Sequence, residues 1–158
     1  MLALGRVIGF SCDAPVAFDL IKSDDPMHSH SIRVYYEDTD LAGIVYYANY
    51  LKFIERARSE FLREIGVDQV ALKRDAGVVF AVRRVEIDYV APAVFDDLLI
   101  VATTVTHIGG ARVTLQQNVL RGADVLVRSV VTIAALQENG RPARMPQNLR
   151  IAMAKAGE

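Results

Sequence analysis

The sequence predicts an α+β fold in which an antiparallel sheet wraps around one long central helix. Three observations predict it. One amphipathic stretch near residues 50–65 has helical spacing, four later segments read as strands, and the turns between the last three are too short for crossover helices. An early helix followed by a strand meander hides its apolar faces most simply when the sheet folds over the helix.

Residues 31–36 alternate, which places Ile32, Val34 and Tyr36 on one face of a short first strand. The central helix follows from Tyr50, Ile54, Ala57, Phe61 and Ile65, with Phe53 and Leu62 widening the stripe and Gly66 placed to end it. Lys52, Arg56, Ser59, Glu60 and Arg63 occupy most of the remaining circumference. Asp68 is a helix-capping residue for a second, shorter helix, Val67 and Leu72 are spaced as a hydrophobic staple, and Gly77 follows. In the next segment Val79, Ala81, Val85, Ile87 and Tyr89 are expected on one face and Arg84, Glu86 and Asp88 on the other, up to Ala91-Pro92. Three more strands span about residues 97–107, 111–121 and 124–136, separated by Ile108-Gly109-Gly110 and Arg121-Gly122-Ala123. The last is almost continuously apolar and reads as a central strand covered on both faces.

At 158 residues one domain with a sizeable core is the simplest organisation. Residues 1–27 have weak periodicity and end in the break Asp24-Asp25-Pro26, so they are expected to form a loosely attached arm, or Met27 to be the native start. Residues 28–158 form the expected single domain. Eighteen basic and nineteen acidic side chains leave a net charge of −1, which gives no electrostatic footprint for nucleic acid or anionic lipid. Arg6 and Asp13 interrupt the apolar N-terminus, so neither a signal segment nor a membrane span is expected. The lone Cys12 forms no intrachain disulfide, and a cytoplasmic location follows as the expectation. An apolar content of 52% is high for a domain of this kind and points to surface hidden in an oligomer.

The chemistry concentrates in residues 35–62, where an acidic turn runs through Gly43 into the central helix. The first turn of a helix carries unpaired N–H groups and about half a positive charge, enough to hold a developing oxyanion. Asp40 beside it can attack a carbonyl or activate water, which together suffice to hydrolyse an activated ester. Gly43 allows close backbone approach, and Ile44, Val45 and Tyr46 lead into the helix as the expected substrate-binding wall. Asp38 lies nearer the strand end and is expected to brace the turn. The run from Asp38 to Gly43 begins like a calcium loop, but Ala42 and Asn49 stand where two ligands are needed, so no metal is expected. His28, His30 and His107 have no metal or triad spacing, and Arg83, Arg84, Arg112 and Arg128 read as solvated strand charges. Glu55 and Glu60 on the helix are the competing carboxylates, each expected to pair with Lys52 or Arg56.

YYEDTD at 35–40, YLKFIERARSEFL at 50–62 and RRVEIDYVAPAVFDD at 83–97 resemble hotdog-fold acyl-CoA thioesterases of the 4-hydroxybenzoyl-CoA thioesterase family, and most of all their YbgC-type branch. The similarity spans about residues 31–136. It implies that Asp40 is the catalytic carboxylate, that the backbone N–H of Tyr47 is the oxyanion donor, and that the site lies at a dimer interface. Close YbgC-type relatives would carry histidine in place of Tyr47, and the Tyr46-Tyr47 pair is nearer to the hydroxybenzoyl-CoA enzymes. A backbone role survives that change and a histidine acid or base role does not. Since a thiolate leaves readily, its conjugate acid having a pKa of about 8.5, one carboxylate and one oxyanion donor suffice. The implied substrate is a short-chain or aromatic acyl-CoA, or an acyl carrier protein thioester, with no cofactor and a homodimer or homotetramer as the assembly. The alternative is a hotdog module that binds an acyl carrier protein or envelope-associated partner with weak hydrolysis.

Overall fold

The computed structural model describes residues 28–156; Cys12 and the expected arm at 1–27 lie outside the described residues. The elements are β1 (His28–Arg33), a 3-10 turn (Tyr36–Asp38), α1 (Asn49–Glu64), α2 (Gln69–Ala76), β2 (Val78–Tyr89), β3 (Leu98–Ile108), β4 (Arg112–Arg121), β5 (Asp124–Gln137) and α3 (Gln147–Lys155). All five strands join one antiparallel sheet in the order β1-β3-β4-β5-β2. The sheet lays its inner face on α1, in the hotdog arrangement.

The stripe on α1 behaves as its spacing demands. Tyr50, Phe53, Ile54, Ala57, Phe61 and Leu62 are buried against Val101, Leu115, Val127 and Val131 of the sheet. Each large apolar side chain buried this way contributes about 1.5–3 kcal/mol. Gly66, at φ 82°, supplies the left-handed residue just beyond the helix end. Asp68 Oδ1 accepts the N–H groups of Val70 and Ala71 at 2.9 and 3.0 Å, and Gly77 closes α2.

A buried amide ties helix to sheet. Gln117 on β4 is fully buried, and its Nε2 donates to the Ile54 carbonyl at 3.1 Å and to Thr103 Oγ1 on β3 at 3.0 Å. Ser129 Oγ on β5 donates to the Gln117 carbonyl. With both amide hydrogens used, Gln117 Oε1 is left facing Arg58, whose Nη1 donates to it at 2.9 Å.

Four expectations change. The first strand stops at Arg33, because the Tyr35 N–H is taken by Asp38 Oδ2 at 2.9 Å and the chain turns. Tyr36 is therefore 76% exposed and stacks on Phe95 rather than facing the core. On β2 a bulge at Arg83 shifts the register between Val82 and Arg84, so Val79 and Ala81 pair with Leu136 and Ala134 while Val85 and Ile87 pair with Val131 and Ser129. The side chains expected on one face thus divide between two. β5 is an interior strand next to the edge, but its face bearing Val130, Thr132 and Ala134 is half-buried with no helix over it among the described residues, unlike the fully buried Val127 and Val131. Finally, α3 begins after Pro146 and buries Leu149 and Met153, an apolar pair four residues apart. No helix among the described residues is long and apolar enough to cross a membrane.

His28 is 7% exposed at the start of β1, with Nε2 3.1 Å from Glu64. Burial lowers its pKa from the ordinary 6.5, and His30 adds to this, outweighing the pull of Glu64 and Glu60. The folded state therefore favours the neutral ring. Its stabilisation is complete above about pH 6.5 and is lost as the pH falls below that value, because the unfolded chain binds the proton first. The drop in melting temperature between pH 7.5 and 5.5 should shrink in His28→Phe; an unchanged drop would clear His28 as its source.

Candidate active site

The acidic turn is a small hairpin locked to the start of α1. Asp40 N–H donates to the Ile44 carbonyl and Gly43 N–H to the Asp40 carbonyl, both at 3.0 Å, with Thr39 and Val45 bridged. Gly43 has φ 77°, a left-handed conformation that residues with a Cβ rarely adopt. Val45 N–H donates to the Ala93 carbonyl at 2.9 Å, and Ile44 bridges Val94, so the hairpin leans on the loop after β2.

Asp38 holds the arrangement together, as expected of it, and does so with three acceptor contacts. Its carboxylate takes the Tyr35 N–H, and its carbonyl takes the Tyr46 N–H at 2.8 Å and Asn49 Nδ2 at 2.9 Å. Asn49 was not singled out from sequence. Its signal was a capping-type residue at the helix start, although here the side chain binds the turn and not the helix.

The helix start leaves donors open. The Tyr46 carbonyl accepts Asn49 N–H at 2.8 Å and the Ala48 carbonyl accepts Leu51 N–H at 3.2 Å, but among the described residues nothing accepts the N–H of Tyr47 or Ala48. Tyr89 Oη donates to the Tyr47 carbonyl at 3.1 Å and holds the Tyr47–Ala48 peptide, which follows directly on the Tyr47 N–H. Tyr50 Oη accepts the Ala93 N–H at 2.9 Å from within the core. Neither contact had a signal in the sequence, since both depend on where a loop from β2 returns.

Asp40 is exposed, and its Oδ1 accepts the Ala42 N–H at 2.9 Å. One chain thus brings Asp40, Gly43, Ile44, Val45, Tyr46 and Tyr47 into one hairpin and helix start without enclosing them. Val45 is buried, Ile44 is half-buried, and Tyr46 and Tyr47 are 45% and 60% exposed. The Tyr46 hydroxyl is raised above its ordinary pKa first by its hydrogen bond to the Tyr47 side chain; burial raises those of Tyr50 and Tyr89. All three phenols remain neutral near pH 7. Burial pushes the Asp97 carboxyl up, but the Val94 N–H and Arg121, 2.8 Å away, outweigh it and leave its pKa lowered.

The competing carboxylates have other partners than expected. Glu55 Oε1 accepts from Ser59 Oγ at 2.7 Å, and Glu60 pairs with Arg63. Of the four strand arginines, Arg84 pairs with Glu86 at 2.8 Å and Arg128 lies 4.0 Å from Asp88.

Comparison with known proteins is consistent with this layout. The thioesterase superfamily profile matches residues 42–128. The acyl-CoA thioesterase YbgC of Haemophilus influenzae is 38% identical over 125 residues, covering 78% of this chain and 92% of that protein. The acyl-CoA thioester hydrolase YbgC of Escherichia coli is 36% identical over 120 residues, covering 75% and 89%. The crystal structure of a probable thioesterase from Bartonella henselae superposes with a TM-score of 0.71 at 42% identity, covering 75% of this chain and 98% of that one. A chain with this sheet, this helix and these relatives belongs to the thioesterase superfamily as a YbgC-type hotdog thioesterase, a thioester hydrolase.

Proposed function

We propose that the protein hydrolyses acyl-CoA thioesters, with Asp40 as nucleophile or as base for water and the Tyr47 N–H as oxyanion donor. The observation that carries this reading is the open Tyr47 N–H at the start of α1, immediately after the hairpin that presents Asp40. The names borne by the Haemophilus and Escherichia relatives support the acyl-CoA substrate.

In the water route Asp40 takes a proton from water as its oxygen bonds to the thioester carbon, and the carbonyl electron pair moves onto the oxygen facing the Tyr47 N–H. Collapse re-forms the carbonyl and breaks the C–S bond. The thiolate leaves and takes back a proton, giving the acid and free CoA. In the direct route the Asp40 carboxylate forms the new bond, and water cleaves the resulting anhydride. Both routes use the same two groups. Gly43, Ile44, Val45 and Tyr46 form the adjoining wall for a short or aromatic acyl group.

A second copy completes the site in this reading. β2 is a twelve-residue edge strand, with Val82, Val85 and Tyr89 49%, 37% and 39% exposed. A long apolar edge invites another strand, and an antiparallel β2–β2 joint sets both α1 helices on one face of a continuous sheet. The wide exposure of Tyr35, Tyr36, Leu41 and Phe95 around Asp40 also supports a covering surface there. An acyl carrier protein as thioester donor, or as the partner of a weakly hydrolytic module, is the second reading, favoured by Tyr47 standing where the resemblance calls for histidine.

Asp40→Asn should lower kcat/KM for acyl-CoA by roughly 100- to 10,000-fold in a thiol-release assay while the circular dichroism melt is kept. Near-normal turnover would remove Asp40 from the chemistry. Tyr89→Phe should lower kcat by roughly 3- to 10-fold, the worth of one hydrogen bond, and leave KM within about twofold. A change in KM alone would mean that Tyr89 shapes binding and not the oxyanion donor. Light scattering should give an even multiple of the 17.4 kDa chain mass; a monomer with full activity would contradict a shared site.

A further inference from the structure

Arg58 sits in the third turn of α1, half-buried on the flank that faces β2. Its Nη1 contact with Gln117 fixes the guanidinium, because Gln117 is itself held by Ile54 and Thr103. Among the described residues the other guanidinium N–H groups meet no acceptor, and no carboxylate lies within 4.0 Å. Glu55, one turn earlier, is turned to Ser59. Desolvation lowers the Arg58 pKa, partly offset by Glu55, yet a guanidinium stays charged at any working pH. A partly desolvated cation with unused donors is costly unless something accepts from it.

Space for an acceptor is present. A groove of about 210 Å³ runs between α1 and β2, and beneath it lies an enclosed apolar cavity of about 20 Å³. Arg58, Leu62, Phe80 and Ile133 line both, so they form the partition between groove and cavity. Glu55 and Ser59 stand at the groove's rim. Its walls suit methylene groups, and Arg58, the one cation among its described lining residues, suits one planar anion. CoA phosphates do not fit this description, since their multiple charges call for several cations. Within one chain Arg58 stands about 16 Å along α1 from Tyr47, farther than a short acyl chain spans, but in an antiparallel pair joined through β2 the Phe80–Val82 end of one strand meets the Tyr89 end of the other, so the groove serves the acyl group held at the other copy's site.

We propose that Arg58 is a specificity determinant that receives a carboxylate at the far end of the acyl group. The preferred substrates are then CoA monothioesters of short dicarboxylic acids, with methylenes along Leu62, Phe80 and Ile133 and the terminal carboxylate in the guanidinium fork. This rests on the thioesterase reading above.

The test compares adipoyl-CoA with hexanoyl-CoA, equal in length and different in the terminal carboxylate. Arg58→Gln keeps a donor for Gln117 and removes the charge; Arg58→Lys keeps the charge and covers the case in which Arg58→Gln fails to fold. The wild type should prefer adipoyl-CoA in kcat/KM. Arg58→Gln should lower adipoyl-CoA turnover by about 10- to 100-fold and leave hexanoyl-CoA within about twofold, whereas Arg58→Lys should keep most of the preference. An equal fall on both substrates, or a wild type without preference, overturns the proposal. Calorimetric binding of both thioesters to Asp40→Asn, with and without Arg58→Gln, separates the two readings. Tighter binding of adipoyl-CoA that is lost with Arg58 sustains the site even if no thioester is hydrolysed, and equal affinities overturn it.

Discussion

The placement of the candidate site depends on the contacts of one buried acidic residue. Asp38 accepts from the Tyr35 N–H, the Tyr46 N–H and the Asn49 side chain, which belong to the strand exit, the hairpin exit and the first turn of α1. Buried acceptors are costly unless filled, and here the carboxylate takes the Tyr35 N–H while the backbone carbonyl takes the other two donors, which together fix the turn. Asp40 follows two residues later on the exposed side of the same turn. Burial thus separates two nearby acidic residues: the inner one holds the turn and the outer one is open to solvent.

Much of the fold was legible because periodicity and caps are local. The α1 stripe, the Asp68 cap, Gly77 and the β3-β4-β5 meander all report on contacts within a few residues of themselves. The bulge at Arg83 was not legible, since two successive arginines fit a regular strand as well as a bulged one and only the pairing with β5 decides. The uncovered face of β5 was misread for a related reason: Val130 and Ala134 are apolar, yet what lies over them is not encoded in their own strand. α3 had a faint signal in Pro146, Leu149 and Met153, too short to stand without the core that receives it.

The candidate site divides in the same way. Asp40 and Gly43 followed from a contiguous turn and helix start, and Tyr47 only through the family resemblance. Asn49, Tyr50 and Tyr89 did not, because each acts across 11 to 43 residues of sequence. Enclosure was also beyond reach, as the described residues of one chain leave an exposed carboxylate beside exposed tyrosines.

The extra residue in β2 has a bearing on how this sheet tolerates change. Before Arg83 the inward positions are even-numbered, and after it they are odd-numbered, so the strand has two reading frames joined at one arginine. Excising that arginine would leave Val82 opposite Ile133, Arg84 opposite Thr132 and Val85 opposite Val131 in unbroken alternation, whereas losing Glu86 instead would turn Ile87 outward and Asp88 toward the helix. Loss of a residue is therefore tolerated at the bulge and not elsewhere along the strand.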